Sequence, residues 1–300
     1  NGKIKGLMIK IKDFFINFFR LTRPLSNVKN IALVLVAFYF SKSEFNFWLI
    51  FWPLISLSLV CSAFYTFNTI SDFDSDKNNE NKKHYSEAAS YFGQKKGFAI
   101  FLSFLIAGLF IGYFVNLYFF VFLLFLALTD FLYSFKFSRF KEKFILDVLF
   151  GASFTFLLRF LAFWFVFSSS FPPLLVLSGL FFGKSAGYFL YKSFDYPYLL
   201  NKNIKNSVTI LSKKTKIIVS ILFWALAFIS YAALCFNYYL NITLLGALPP
   251  RFLLLTIFAI IPLAVIYLSF FNIIKTEVKK LRILGYIYWL AVMVIILKLL

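Results

Sequence analysis

Asn68, Asp72 and Asp76 stand at four-residue spacing where a strongly apolar stretch gives way to a polar one. Four residues of α-helix turn about 400°, so each side chain lies about 40° around from the last and about 6 Å further along the axis. The three therefore share one face, and Asp74 falls on the opposite side. An amide and two carboxylates are hard oxygen ligands. They suit Mg2+, which takes one or two carboxylates, keeps waters and completes its shell with substrate phosphate oxygens. The chemistry expected is transfer from a diphosphate, with Asn68, Asp72 and Asp76 as metal ligands and catalytic residues. A solvated acidic loop would use the same residue types, but Asn68 and Asp72 close an apolar helix, where an uncompensated carboxylate is costly and marks function. Lys82 and Lys83 follow closely as counter-charges for phosphate. His84, the chain's single histidine, reads as a solvated loop residue.

The elements that must position these residues are membrane helices. The chain is 61% hydrophobic and only 14% charged over 300 residues, with 46 Phe, which excludes an ordinary soluble domain. A spanning helix needs about 20 mostly apolar residues. Windows of that kind fall near 27–42, 47–70, 98–115, 117–134, 144–168, 172–193, 216–240, 252–273 and 283–300. The expectation is an all-α polytopic membrane protein, one integral domain over 1–300, with nine transmembrane helices around a cytosol-facing cavity. Residues 1–24, which include Phe14, Phe15, Phe18 and Phe19 among basic residues, read as an interfacial amphipathic segment preceding transmembrane helices over 25–300. Cys61 and Cys235 fall inside helices and imply no disulfide framework.

A net charge of +19 invites a nucleic-acid reading, but the charges are sorted by connection rather than gathered into a patch. Lysines and arginines crowd the N-terminal stretch and the connections after even-numbered helices, as in Lys136, Arg139, Lys141 and Lys143. The alternate connections hold little more than Lys42 and Arg251. The positive-inside rule then places the N-terminus and the long loops in the cytoplasm and the C-terminus outside. No nucleic-acid partner is needed. The expected location is a prokaryotic inner or plasma membrane.

The motif Asn68-x-x-x-Asp72-x-x-x-Asp76, at the end of the second of nine helices, resembles the first aspartate motif of the UbiA superfamily of intramembrane prenyltransferases. Arg23-Pro24 followed by Lys29-Asn30 resembles the RPxxxxKN signature of the branch that makes polyprenyl-phosphoryl phosphoribose. Tyr133-Ser134, Lys141, Leu146-Asp147 and Phe156-Leu157-Leu158-Arg159 are similar to that branch's fourth-to-fifth helix region. The resemblance implies an Mg2+-dependent transfer of 5-phosphoribose from phosphoribosyl diphosphate to a polyprenyl phosphate. The alternative is an orthodox prenyltransferase, moving a prenyl group from prenyl diphosphate to an aromatic or glycerol-phosphate acceptor. Thr69 stands where the family usually has a second aspartate, and Tyr85-Ser86 where it has Arg-Pro. The second motif keeps Lys184 but a single acid, Asp195, which is a phosphate clamp more than a metal cage and favours the phosphoribosyl branch.

The substrate-binding residues expected on this reading are Lys29, Asn30, Lys82, Lys83, Tyr133, Lys141, Lys184 and Arg159. Lys184 and Arg159 lie well inside helices, where an unpaired cation is expensive and persists only beside anions or water. Asp147 reads as a partner for Lys141 or Lys143, and Asp130 as an intramembrane partner for a cation. The partners implied are a polyprenyl lipid, a soluble or lipid diphosphate donor, and the bilayer itself. A secondary transporter would also place polar residues inside helices, but such folds show repeated halves with paired breaks, and the sequence shows neither. A CDP-alcohol phosphotransferase uses spaced aspartates too, but the glycines of its signature are missing around 61–80.

Overall fold

The computed structural model describes residues 2–41, 43–193, 196–201, 204–241 and 247, with isolated positions between 264 and 294. Apart from those isolated positions, the expected spans 252–273 and 283–300, and Asp195, lie outside the described residues. Twelve helices appear among those described: α1 (Gly2–Thr22), α2 (Val28–Ser41), α3 (Phe47–Ser71), α4 (Phe73–Asp76), α5 (Lys83–Val115), α6 (Leu117–Ser134), α7 (Leu146–Val148), α8 (Phe154–Phe167), α9 (Leu174–Ser193), α10 (Tyr196–Asn201), α11 (Ser207–Ile210) and α12 (Lys213–Tyr239). Six helical runs among the described residues are long and apolar enough to cross a membrane: Lys10–Ser41, Phe47–Ser71, Lys83–Val115, Leu117–Ser134, Leu146–Phe167 and Lys213–Tyr239. The architecture is all-α and polytopic, as the sequence led one to expect.

The long helices pack α3 on α5, α6 on α8, α2 on α8 and α9 on α12. Phe119, Phe160, Phe163, Leu33, Leu57 and Leu123 are fully buried between them. Outward-facing Phe110, Phe114 and Ile229 are exposed, as side chains that meet lipid must be. The amphipathic segment forms α1, which packs on α5 and α3 and is tied at its end by Arg20 to Glu87 at 3.1 Å. A 3-10 turn, Pro24–Asn27, separates it from α2, with Arg23 in the left-handed region at φ 49°.

The structure departs from the expected helices at the end of the molecule that bears the basic connections. The expected 98–115 span begins much earlier, at Lys83, and turns a corner at Gly93, whose φ of 69° and ψ of 169° suit a residue without Cβ. The expected 144–168 helix is interrupted by a π-helical turn, Leu149–Ser153. Connections expected as plain loops contain α4, α10, α11 and the 3-10 turns Glu80–Lys82 and Phe140–Glu142. These short elements carry too little apolar periodicity to be read from sequence, and α4 and the two 3-10 turns supply Asp76, Lys82 and Lys141 to the rim of the site.

Candidate active site

The motif that opened the sequence analysis spans a helix end. α3 stops at Ser71, and Asp72 leaves helical geometry at φ −98°, ψ 4°. The hydrogen-bond ladder survives the break: Asp72 N–H donates to the Asn68 carbonyl at 2.9 Å, and Asp76 N–H to the Asp72 carbonyl at 2.7 Å. The expected face is thereby kept. Asp72 is 6% exposed and Asp76 8%, while Asp74 is exposed and pairs loosely with Lys77 at 3.8 Å.

Both buried carboxylates are met by cations from the rim. Lys141 Nζ donates to Asp72 Oδ1 and, at 3.4 Å, to Asn68 Oδ1. Arg139 Nη2 stands 3.6 Å from the same Asp72 oxygen and 2.6 Å from Glu142. Lys82 Nζ grips both oxygens of Asp76 at 3.0 and 3.1 Å. Burial raises the Asp76 carboxyl above its ordinary range, with Lys82 opposing. Burial likewise lowers the Lys141 ammonium, with Asp72 opposing. Two buried acids are thus each matched by a lysine from the rim.

Inward of this rim lies a cavity of about 250 Å³. Asn68 and Arg23 line its outer part, and Lys29, Asp130, Arg159 and Lys184 its inner part. Lys29 Nζ donates to the Tyr65 hydroxyl at 2.9 Å, and Lys184 Nζ sits 5.1 Å over the Phe156 ring. Arg159 is 6% exposed, and its Nε has no hydrogen-bond partner. The cavity reaches the interrupted helix at Gly151, where a Cβ would come within 2.7 Å of the Tyr133 ring. The π turn and the bare glycine together let Tyr133 close that wall, and π turns of this kind recur at functional sites.

Of the residues expected from sequence, Asn68, Lys29, Tyr133, Lys184 and Arg159 face this one cavity, and Asp72, Asp76, Lys82 and Lys141 form its rim. Two stand elsewhere. Asn30 is fully buried between α2 and α3, donating to Asn27 at 3.2 Å and lying 3.8 Å from Cys61 Sγ, and it does not line the cavity. Lys83 is exposed at the start of α5. Asp147 pairs with neither Lys141 nor Lys143. It is fully buried and accepts from Ser207 Oγ at 2.6 Å, Ser207 N–H at 3.2 Å and the Tyr188 hydroxyl at 3.3 Å. His84 lies beside Tyr85, ring centroids 3.9 Å apart and planes tilted by 44°.

Sequence reasoning gave no site role to Tyr65 or Phe64, which line the cavity, or to Arg139. The signal for Phe64 was present: it continues the four-residue series 64, 68, 72, 76 one turn inward. Arg139 carried no signal, because its reach to Asp72 depends on a left-handed φ of 36° in a tight connection.

The donor set decides how Mg2+ fits. No cluster of three or more His, Cys, Asp or Glu side chains exists among the described residues. Asp72, Asp76 and the Asn68 amide supply part of an oxygen shell, which suits Mg2+ bridged to a substrate phosphate rather than an ion caged by protein alone.

The profile of the UbiA prenyltransferase family matches residues 30–290. A search of curated proteins returned no match. Among solved structures, a UbiA homologue from Archaeoglobus fulgidus bound to GPP and Mg2+ superposes with a TM-score of 0.70 at 18% identity, covering 92% of this chain and 99% of that one. An apo UbiA homologue from Aeropyrum pernix K1 gives a TM-score of 0.71 at 14% identity, covering 90% and 95%. A digeranylgeranylglyceryl phosphate synthase gives 0.65 at 17%, covering 95% and 99%.

Proposed function

The chain belongs to the UbiA prenyltransferase family, and from that premise we propose that it is an Mg2+-dependent intramembrane transferase moving a prenyl group from a prenyl diphosphate to a second substrate held in the same cavity. The observation that carries the reading is one cavity joining Asn68, at the rim of buried Asp72 and Asp76, to an interior walled by Phe64, Tyr65 and Phe156. The outer part suits a diphosphate, and the rings of Phe64, Tyr65 and Phe156 line the same space that Lys29, Asp130, Arg159 and Lys184 enter. The Archaeoglobus homologues, bound to GPP or DMAPP with Mg2+, support the choice of donor class.

Asp72, Asp76 and Asn68 would hold Mg2+, which when bound supplies charge neutralisation of the donor diphosphate. Arg23, at the outer cavity wall, donates to the diphosphate, and Lys141 and Lys82 transfer their contacts from the carboxylates to its oxygens. As the bond to the allylic carbon breaks, negative charge grows on the departing diphosphate, and these fixed cations are worth more there than in water. Positive charge grows on the allylic carbon, facing the rings of Phe64, Tyr65 and Phe156. Enclosure by α3, α6, α8 and α9 excludes water that would otherwise capture the cation. The second substrate then attacks from the interior.

A second reading, transfer of 5-phosphoribose to a polyprenyl phosphate, draws on one observation. Arg23 and Lys29, of the Arg23-Pro24 and Lys29-Asn30 motif, both line the cavity. Purified protein with Mg2+ and a membrane lipid extract is tested with labelled prenyl diphosphates and with labelled phosphoribosyl diphosphate. The expected result is a labelled lipid from a prenyl diphosphate alone. Labelled lipid from phosphoribosyl diphosphate alone would replace the first reading with the second. The basic connections, and with them the rim of the site, face the cytoplasm on this proposal.

A further inference from the structure

Transfer of a prenyl group to an O–H or an aromatic C–H leaves one proton behind, and a cavity that excludes water must supply its receiver. One wall of the cavity carries hydroxyls suited to that task. Tyr133, near the end of α6, lines the cavity beside Gly151 and Thr155. It stands three residues from Asp130 on the same helix, about 4.5 Å along the axis toward the rim, and so lies between the donor end and the interior. A Cβ at Gly151 would lie 2.8 Å from the Tyr133 hydroxyl oxygen. The bare glycine leaves room for that hydroxyl at the wall.

Behind Tyr133 a chain of polar groups leads away from the cavity. The Tyr133 and Tyr188 hydroxyls are hydrogen-bonded to one another, and Tyr188 donates to Asp147 Oδ2 at 3.3 Å. The same oxygen accepts the Ser207 N–H at 3.2 Å, a donor that cannot be reversed, while Oδ1 accepts Ser207 Oγ at 2.6 Å. Ser207 Oγ is fixed in turn by accepting the Ile145 N–H at 2.8 Å. A tyrosine hydroxyl has one hydrogen and two lone pairs. Tyr188 gives its hydrogen to Asp147, so toward Tyr133 it can only accept. Tyr133 therefore directs its one hydrogen at Tyr188 and leaves lone pairs alone for the cavity. Tyr188 and Asp147 do not line the cavity, and the charge of Lys192, on α9 with Tyr188, acts on both Asp147 and Tyr133.

We propose that Tyr133 receives the proton of the attacking substrate, with Tyr188 and Asp147 as positioning residues that keep Tyr133 an acceptor and take up the proton behind it. The proposal rests on the prenyl-transfer reading. The allylic C–O bond breaks with its electron pair on the diphosphate, and an electron pair of the attacking atom forms the new bond to carbon. The proton of that atom passes to Tyr133, the Tyr133 hydrogen to Tyr188, and the Tyr188 hydrogen to Asp147 Oδ2. Atoms and charge balance with no further reactant. Asp147 is fully buried, and the cost of holding a buried charge falls when it takes a proton. The chain runs back to water once the product leaves. A substrate whose attacking atom bears hydrogen satisfies Tyr133, whereas an anionic oxygen without one would face only lone pairs.

The test follows a single turnover of the purified protein with Mg2+, a membrane lipid extract and a labelled prenyl diphosphate. Label in lipid and label in free prenol are counted separately, and donor affinity is measured with the non-cleavable analogue geranyl S-thiolodiphosphate. Tyr133→Phe, which keeps the ring, should lower lipid labelling at least about tenfold, equivalent to about 1.4 kcal/mol, while prenol is still released and analogue affinity stays within about twofold. Wild type should label lipid more slowly in D2O than in H2O, and Tyr133→Phe should lose that difference. Tyr188→Phe should lower lipid labelling and shrink the D2O effect at an unchanged melting temperature. A packing role predicts the reverse, a lowered melting temperature with the D2O effect intact, and would overturn the proposal. Wild-type lipid labelling by Tyr133→Phe, equal loss of analogue affinity and lipid labelling, or a wild type indifferent to D2O would each overturn it too. So would loss of the D2O effect in Asp130→Asn but not in Tyr133→Phe, which would hand the proton to the carboxylate in the cavity. Should Tyr188→Phe not fold, Tyr133→Phe decides alone. Wild type that labels no lipid from any prenyl diphosphate would sink the prenyl-transfer reading and the relay with it, whereas contrary variants of an active wild type sink the relay alone.

Discussion

The guanidinium carbon of Arg23 lies 3.6 Å from the centroid of the Tyr85 ring, and its Nη2 donates to Thr69 Oγ1 at 2.7 Å. Thr69 and Tyr85 are two of the three positions, with Ser86, at which the motif resemblance read from the sequence breaks. Both departures meet on one arginine, which faces the outer part of the cavity. A neutral hydroxyl and an aromatic ring hold Arg23 in place without cancelling its charge, as a second aspartate at 69 would. Stacking of this kind contributes about 0.5–2 kcal/mol. Tyr85→Leu should therefore weaken Mg2+-dependent donor binding about fivefold, equivalent to about 1 kcal/mol, while Tyr85→Phe keeps the ring and stays near wild type. Calorimetric titration with a prenyl diphosphate measures both, and an equal loss in the two variants would show that the hydroxyl, not the stacking, matters.

Replacing either buried carboxylate separates the metal face from its neighbour. Asp72→Asn and Asp76→Asn should each lower turnover about 100-fold or more, because each removes charge where the diphosphate and its metal are held. Asp74→Asn should stay within about twofold. Its exposed contact with Lys77 is the kind that contributes about 0–1 kcal/mol. Rates measured across the three variants check the face. An inactive Asp74→Asn beside an active Asp72→Asn would remove the basis for the metal assignment.

Asp76 also predicts how the metal-free protein responds to pH. Burial holds its folded-state pKa above the ordinary 3.8, so the folded protein keeps a proton that the unfolded chain has already lost. Stability from this group is fully present below 3.8 and is lost as pH rises through the raised folded value. With EDTA present, the melting temperature of wild type should fall across that window relative to Asp76→Asn, in which the titration is gone. Identical curves for the two proteins would show that Lys82 compensates the burial in full.

Orientation in the bilayer is checked at Asn78, an exposed position in the connection between α4 and α5. Because Cys61 and Cys235 are buried, an engineered Asn78→Cys should be the accessible thiol among described residues. An impermeant maleimide should label it in inverted vesicles and not in intact cells. Labelling from outside would reverse the topology and place the donor site on the other side of the membrane.

The sequence by itself determined the class of the fold, because helices in a bilayer must be long, apolar and internally hydrogen-bonded, and those demands are written in composition and segment length. It also determined a shared helical face. Helical arithmetic put Asn68, Asp72 and Asp76 together and Asp74 apart, and the surviving ladder through residue 72 kept that register although α3 ends at Ser71. Tertiary structure decided what the cations do. Nothing in the spacing of Lys82, Lys141 and Arg139 separates residues that clasp the aspartates from Lys29, Arg159 and Lys184, which face the interior. The separation arises where short rim elements meet the end of α3 and where α2, α3, α6, α8 and α9 converge. Asp147 makes the same point. Lys141 and Lys143 lie close by in sequence, but its hydrogen-bond partners are Ser207 and Tyr188, brought from distant segments to a fully buried carboxylate that must find donors wherever the fold supplies them.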